Sequence, residues 1–423
     1  MEAGNELALR TLARVSRRLI PFLFVLYMFA YLDRVNVGYA ALFIRRELHF
    51  SDTVYGTGAG LFFVSYALFE VPSNLILLRV GPRRWIGTLM AVWGVISASM
   101  PLAHTPMEFY LLRFLLGAAE AGFFPGIVLY FTFWFPRQLK AKALARFMAA
   151  TAVAGVVGAP LSNLLLRLNG VAGVAGWKWL FVGEGVPSIL LGLMVFWVLT
   201  DTPEQAAWLE EDERRWLIET LETERAGISA AHSVDLSKVW RNRIMWQLSA
   251  VYFLLSVGLY SLSLWLPVVL KQISGASASY VILLTAVPWA VATLVMLAVA
   301  HFSDKRQERR RFLVGSLLGA MVGFGLSAWL ANPWLAIAAL SLAAAGAWGC
   351  LGPFWAMPSA MLRGTAAAGG IATINSAGAL GAFCGPILMG IVSDATHSFH
   401  AALGTVAVLL LMAAILAWRL RVG

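Results

Sequence analysis

Apolar residues occur in twelve blocks of roughly twenty residues, separated mostly by short polar stretches. The blocks are 19–43, 56–78, 85–103, 108–134, 143–168, 178–199, 244–270, 278–302, 312–331, 333–358, 366–392 and 399–420. A helix rises about 1.5 Å per residue, so a stretch of about 20 apolar residues crosses the hydrocarbon core of a bilayer. The pattern therefore predicts an all-α membrane protein with 12 transmembrane helices.

A longer polar stretch divides these segments into two groups of six. We predict an N-terminal six-helix half over 1–199, a cytoplasmic linker over 200–243 and a C-terminal six-helix half over 244–423. The linker contains an acidic amphipathic piece after Pro203, which predicts one short helix.

The fifth and eleventh segments share a pattern of closely spaced glycines followed by proline, ending at Pro160 and Pro386. They occupy equivalent places in the two halves. Two six-helix halves joined by a cytoplasmic linker is the major facilitator plan, in which substrate binds near the midplane between the halves.

Charge is sparse and unevenly distributed. Of the 423 residues, 60% are hydrophobic and 13% charged, whereas soluble domains carry about a quarter charged residues. If both termini are cytoplasmic, the alternating segments place 25 of the 32 Lys and Arg residues inside and 5 outside. Cytoplasmic loops of membrane proteins are enriched in Lys and Arg. The net charge of +10 is thus explained without a nucleic-acid partner.

Patterns typical of enzymes are weak in this chain. The six histidines are scattered, and the two cysteines, Cys350 and Cys384, lie in apolar segments without metal-ligand spacing. No serine, histidine and acidic residue lie together at one depth of the membrane, as a catalytic triad would require. A membrane-embedded enzyme is the alternative class, but we predict no enzyme, no catalytic residue, no metal and no cofactor.

Four charged residues lie inside the apolar segments of the first half: Asp33, Arg34, Arg113 and Glu120. A charge at bilayer depth costs at least about 2.5–3.5 kcal/mol, so each requires a reason. Arg113 and Glu120 are seven residues apart, nearly two turns, and should share one helix face. Asp33 and Arg34 are adjacent and should point about 100° apart.

These four residues have a functional and a structural interpretation. Arg34 and Arg113 would bind a carboxylate through planar guanidinium groups. Asp33 and Glu120 would take up and release protons, because burial disfavours the charged form of a carboxylate. Alternatively, the four charges only neutralise one another and hold helices together.

Other polar residues in the segments remain open between packing and function. We interpret Glu70 as a helix anchor near Arg79, whereas Glu184 fits either role. Tyr31 and Tyr66 could pack or bind substrate through hydrogen bonds.

The most specific patterns are four short stretches: Tyr31–Asn36, Val71–Asn74, Gly81–Trp85 and Arg113–Gly126. With them, nearly the whole chain resembles the anion:cation symporter family of the major facilitator superfamily, and is closest to bacterial permeases of the tartrate and phthalate type. The resemblance implies proton-coupling roles for Asp33 and Glu120. It also implies that substrate is bound by Arg34, Arg113, Tyr31, Tyr66, Trp355 and Asn375.

The residues and the resemblance together predict proton-coupled uptake of a small organic anion, such as tartrate, a sugar acid or an aromatic carboxylate. Sodium in place of protons stays open. We expect a monomer in the bilayer of a bacterial inner membrane. The alternatives are a proton-driven exporter or antiporter of amphipathic compounds and a non-transporting membrane sensor.

Overall fold

The structure, a computed structural model, describes residues 2–228, 243–330, 332–361 and 365–420. The described residues form sixteen α-helices and no strand. The helices are α1 (Glu2–Glu47), α2 (Asp52–Val80), α3 (Pro82–Ala98), α4 (Pro106–Glu120), α5 (Phe123–Trp134), α6 (Arg137–Leu166), α7 (Gly176–Val198), α8 (Glu211–Ile228), α9 (Arg243–Ser274), α10 (Ala278–Leu284), α11 (Ala286–Arg306), α12 (Arg309–Ser327), α13 (Pro333–Gly349), α14 (Leu351–Met361), α15 (Thr365–Thr396) and α16 (Phe399–Trp418).

The helices reproduce the predicted segments, and the all-α membrane fold with twelve spans is confirmed. Eleven helical stretches of the described chain are long and apolar enough to cross a membrane. The remaining segment is α12, which begins with three arginines and contains several glycines, so its mean hydropathy is lower. In lipid every backbone amide and carbonyl must be satisfied internally, which favours uninterrupted helices.

Three predicted segments are each divided into two helices. The fourth consists of α4 and α5, the eighth of α10 and α11, and the tenth of α13 and α14. Between α4 and α5, a Cβ added at Gly122 would lie 1.8 Å from Ser73 Oγ on α2. Only a glycine allows this approach, so the break lies where α2 crosses the fourth segment.

The first helix begins well before the predicted apolar segment. Its polar first part carries Arg10 and Arg14, which form ion pairs with Glu210, Asp212 and Glu213. The acidic partners lie at the start of α8, which is the predicted short helix of the linker. Residues 229–242 of the linker lie outside the described residues, so the predicted domain boundaries stay a prediction.

Local capping signals determine several helix starts. Thr105 accepts a hydrogen bond from the Glu108 amide, and the Glu108 carboxylate accepts one from the Thr105 amide. This is a capping box, and Pro106 occupies the first position of α4. The cap fixes the start of the helix that carries Arg113 and Glu120.

We refer to α1–α7 as the first half and to α9–α16 as the second half. They contact each other at the end of the bundle where α2 begins, which we call the Asp52 end. A Cβ at Gly56 would lie 2.3 Å from the Pro386 carbonyl oxygen, and one at Gly390 would lie 2.3 Å from the Asp52 carbonyl oxygen. Helices α2 and α15 are therefore in backbone contact there.

Polar groups complete this contact. Asp394 of α15 accepts hydrogen bonds from the backbone amides of Asp52 (3.1 Å) and Thr53 (2.8 Å) at the start of α2. Ser393 donates to the Asp52 carboxylate (2.6 Å), which also pairs with Arg45. A carboxylate of the second half therefore caps a helix of the first half.

Candidate functional site

An arginine–glutamate pair links α1 to the end of α4. Both Arg34 Nε (3.2 Å) and Arg34 Nη2 (3.0 Å) donate to Glu120 Oε2. The Glu120 side chain is 1% exposed and that of Arg34 is 14% exposed. The pair thus consists of one buried carboxylate and one arginine that retains some access to the surroundings.

The second arginine is fully buried and lacks a matching anion. Arg113 Nη2 donates to the carbonyl oxygen of Ala59 (3.3 Å), whereas its Nε and Nη1 atoms have no hydrogen-bond partner. Among the described residues no carboxylate forms an ion pair with it. The sequence placed Arg113 and Glu120 on one face, but seven residues of separation leave them unpaired. A buried charge without a partner is costly, so an anion would stabilise this site.

An aromatic ring lies against both arginines. The Cζ atoms of Arg34 and Arg113 lie 5.4 and 5.0 Å from the centroid of the Phe62 ring, and Arg34 Cζ lies 5.0 Å from that of Tyr66. Cations are attracted to the faces of such rings. Phe62 was not among the predicted site residues, because an apolar aromatic in an apolar segment gives no signal in the sequence.

Close packing of α2 and α4 holds this arrangement in place. A Cβ at Gly117 would lie 2.1 Å from the Phe62 carbonyl oxygen and 2.3 Å from Ser65 Oγ. Small residues allow membrane helices to approach closely. The glycine thus brings the α4 backbone against the turn of α2 that carries Phe62.

Two of the predicted substrate contacts, Trp355 and Asn375, lie in the second half. Trp355 packs edge-on against Tyr252, with ring centroids 4.9 Å apart. Tyr260 lies 4.2 Å from the Phe63 ring of α2, so aromatic contact connects the halves. Tyr31 is partly buried against the core of the bundle.

Asn375 makes a contact that the sequence did not reveal. Its Nδ2 atom donates to both carboxylate oxygens of Glu70, at 3.1 and 3.4 Å. We interpreted Glu70 as a helix anchor near Arg79, but its hydrogen bond crosses to the second half. Glycines in both helices, such as Gly60 and Gly390, lie where α2 and α15 approach each other and were the available signal in the sequence.

Asp33 lies apart from the arginine sites. Its carboxylate accepts hydrogen bonds from Ser97 Oγ (2.8 Å) on α3 and Ser188 Oγ (2.5 Å) on α7. Adjacent residues on a helix point about 100° apart, so Arg34 faces α4 while Asp33 faces α3 and α7. The four predicted charges therefore form a bonded pair, an unpaired arginine and a separate carboxylate.

The described residues hold no group of three or more His, Cys, Asp or Glu side chains that could bind a metal. A cavity of about 520 Å³ lies elsewhere, at the Asp52 end, and is lined by Arg45, Asp52 and Asp394 among others. The cavity therefore does not include Arg34 or Arg113 among its lining residues.

A bundle of membrane-spanning helices with charged side chains buried inside it is typical of transporters. The sequence profile of the Major Facilitator Superfamily matches residues 23–377, and the chain belongs to this superfamily. Its members are transporters and not enzymes, as predicted.

Similar proteins agree with this assignment. A protein of Agrobacterium vitis named for tartrate transport is 46% identical over 413 residues, covering 97% of this chain and 91% of its own. The quinolone resistance transporter of Acinetobacter baumannii is 38% identical, covering 96% of this chain and 93% of its own. The predicted resemblance to tartrate-type permeases is confirmed.

The fold also matches solved structures. The bacterial homologue of the human lysosomal transporter Spinster, solved in an inward-facing and unoccupied conformation, superposes with a TM-score of 0.82. The match covers 96% of both chains at 18% identity, so the likeness concerns the fold alone.

Proposed function

We propose that this transporter takes up a small organic anion, with tartrate as the leading candidate, together with protons. The observation that carries the proposal is Arg34, whose two donors are held by one buried Glu120 carboxylate. Beside it, Arg113 retains donors without an anion. Two arginines with a single bonded carboxylate between them suit an anionic substrate better than a neutral or cationic one.

Coupling follows from competition for Arg34. When Glu120 is ionised, it accepts both hydrogen bonds from Arg34 and opposes the entry of another carboxylate. When Glu120 takes up a proton, its charge disappears and the guanidinium becomes available to the substrate. A proton and an anion are therefore favoured together, and either one alone is disfavoured.

The surrounding groups would determine the shape of the substrate. Tyr31 and Tyr66 from the first half and Trp355 and Asn375 from the second would contact the bound anion, as the family resemblance implies. Asn375 is held by Glu70 in this conformation, so binding to the amide requires an exchange of partners.

The proposal extends to placement in the membrane. The distribution of Lys and Arg supports both termini in the cytoplasm of a bacterial cell, with the transporter in the inner membrane. We propose the predicted halves, 1–199 and 244–423, as the units that move relative to each other, and a monomer as the functional form.

Uptake of radiolabelled tartrate into proteoliposomes tests the proposal. An imposed inward proton gradient should drive accumulation above equilibrium, and replacing choline by sodium at constant pH should not. The test variant is Glu120→Gln, which removes the carboxylate that competes for Arg34. Its matched control is Glu219→Gln on α8, because Glu219 is exposed and the same change is made there away from the site. Accumulation that ignores the proton gradient in the wild type would contradict the coupling.

A second function is favoured by the relative named for quinolone resistance. A proton-driven exporter would lower the accumulation of amphipathic antibiotics in cells that express it. Unchanged antibiotic susceptibility, together with tartrate uptake, would decide against export.

A further inference from the structure

A second buried carboxylate faces Asp33 across the first half. Glu184 of α7 is fully buried, and its Oε1 atom accepts a hydrogen bond from Ser162 Oγ of α6 (3.0 Å). Its Oε2 atom has no partner. Ser188, one turn further along α7, holds Asp33. We call Asp33, Asn36, Ser97, Ser162, Glu184 and Ser188 the Glu184 cluster.

Asn36 is the second unpartnered group of this cluster. It lies one turn after Asp33 on α1, is fully buried, and neither atom of its amide has a hydrogen-bond partner. The amide lies against the Glu184 carboxylate without the geometry of a hydrogen bond. Buried polar atoms are almost always bonded, and a proton on Glu184 would supply a donor for the Asn36 carbonyl oxygen, which has none.

The packing of α3 against α7 keeps the cluster closed. A Cβ at Gly185 would lie 2.7 Å from the Ala98 amide nitrogen and 2.8 Å from the Gly94 carbonyl oxygen. The two backbones are in direct contact beside Ser97 and Ser188. The cluster is thus enclosed by protein.

The charge of the cluster is unbalanced. No Lys, Arg or His of the described chain forms an ion pair with Asp33 or Glu184. The titratable groups that act on them are Tyr39 of α1 and Glu120 of α4, and neither is a cation. Two neighbouring buried carboxylates cannot both be ionised without a compensating cation.

We propose that Glu184 is a proton-binding residue, which holds one exchangeable proton inside the Glu184 cluster while Asp33 stays ionised. Asp33 is already stabilised as an anion by two hydroxyl donors. The proton forms an O–H bond with Glu184 Oε2, where the Asn36 carbonyl oxygen is the available acceptor. No other bond changes, and the proton comes from and returns to water.

This inference rests on the proposed proton coupling for its role in transport, and it adds a residue outside the anion site. Asp33 and Arg34 are neighbours on α1. A change of charge in the cluster and the binding of an anion to Arg34 would therefore affect the same turn of the helix. The proton would be bound on the side of α1 that faces α3 and α7, and the anion on the side that faces α4.

Infrared difference spectroscopy of the full protein in liposomes tests the proton directly. We expect a carbonyl-stretch band of a protonated carboxyl near neutral pH that disappears in Glu184→Gln. The band should persist in Glu120→Gln and Ser162→Ala. An unchanged band in Glu184→Gln would overturn the proposal. The proposal would also be overturned if sodium chloride removes the wild-type band and choline chloride does not, because sodium would then occupy the place of the proton.

Transport gives the second measurement. Glu184→Gln retains a hydrogen-bonding group for Ser162, so we expect it to fold and to exchange labelled for unlabelled tartrate. It should lose accumulation driven by the proton gradient, whereas Glu184→Asp should retain part of it. Gradient-driven accumulation that equals the wild type in Glu184→Gln would refute the role of Glu184 while leaving the proposed function intact. If the wild type shows the Glu184 band but does not accumulate tartrate in response to the proton gradient, only the proposed function is refuted.

Discussion

Replacing Glu120 by glutamine should make anion binding tighter and less dependent on pH. In the wild type an entering carboxylate must displace the Glu120 oxygen that accepts two hydrogen bonds from Arg34, at 3.0 and 3.2 Å. A hydrogen bond to a charged group contributes about 1.5–3 kcal/mol. If one such contribution is removed in Glu120→Gln, the affinity should rise by about 10- to 150-fold at alkaline pH.

The sign of the pH effect follows from the same competition. In the wild type the affinity should fall as pH rises, because the ionised carboxylate of Glu120 reclaims Arg34. In Glu120→Gln this fall should be largely lost. Calorimetric titration of tartrate at a series of pH values measures both effects, with Glu219→Gln as the matched control. An affinity and pH profile equal to those of the wild type would show that Glu120 only anchors helices.

Three further substitutions test other parts of the structure. Gly117→Ala places a Cβ against a carbonyl oxygen of α2, so the melting temperature should fall by an amount that corresponds to about 1–3 kcal/mol of stability. Gly315→Ala is the control, because its Cβ meets open space and should leave the melting temperature unchanged. Arg113→Lys retains the charge but loses the planar fork, so tartrate affinity measured by calorimetry should fall about tenfold or more; unchanged affinity would place the anion elsewhere. Asp394→Ala removes the carboxylate that accepts from the Asp52 and Thr53 amides, worth about 0.5–2 kcal/mol, and leaves Ser51 as the cap of α2. It should increase alkylation of an added Thr53→Cys; equal labelling would refute a closing role.

Much of the fold could be predicted because membrane insertion imposes a simple physical rule. Twenty apolar residues in a row must form a spanning helix, and the segments follow from that alone. The start of α1 at Glu2 could not be predicted from hydropathy, since its polar first part is stabilised by ion pairs with α8. Contacts between distant parts of a chain leave no periodic signal.

Part of the candidate site could also be predicted from the sequence. Helical geometry placed Arg34 and Asp33 on different faces, and the structure shows each with its own partners. Geometry also placed Arg113 and Glu120 on one face, but it could not show that Glu120 pairs with Arg34 instead. Which charge meets which depends on the packing of three helices, and Phe62 and Glu184 gained importance only from that packing.

The closure at the Asp52 end has an energetic consequence. Its polar part includes hydrogen bonds from the α2 amides to Asp394, from Ser393 to Asp52 and from the Tyr55 hydroxyl to the Leu264 carbonyl oxygen, and water can replace the partners in each of them. Each such bond contributes only about 0.5–1.5 kcal/mol net. These polar contacts therefore contribute only a few kcal/mol to holding this end closed, an amount that differential ligand binding to another conformation would be able to offset.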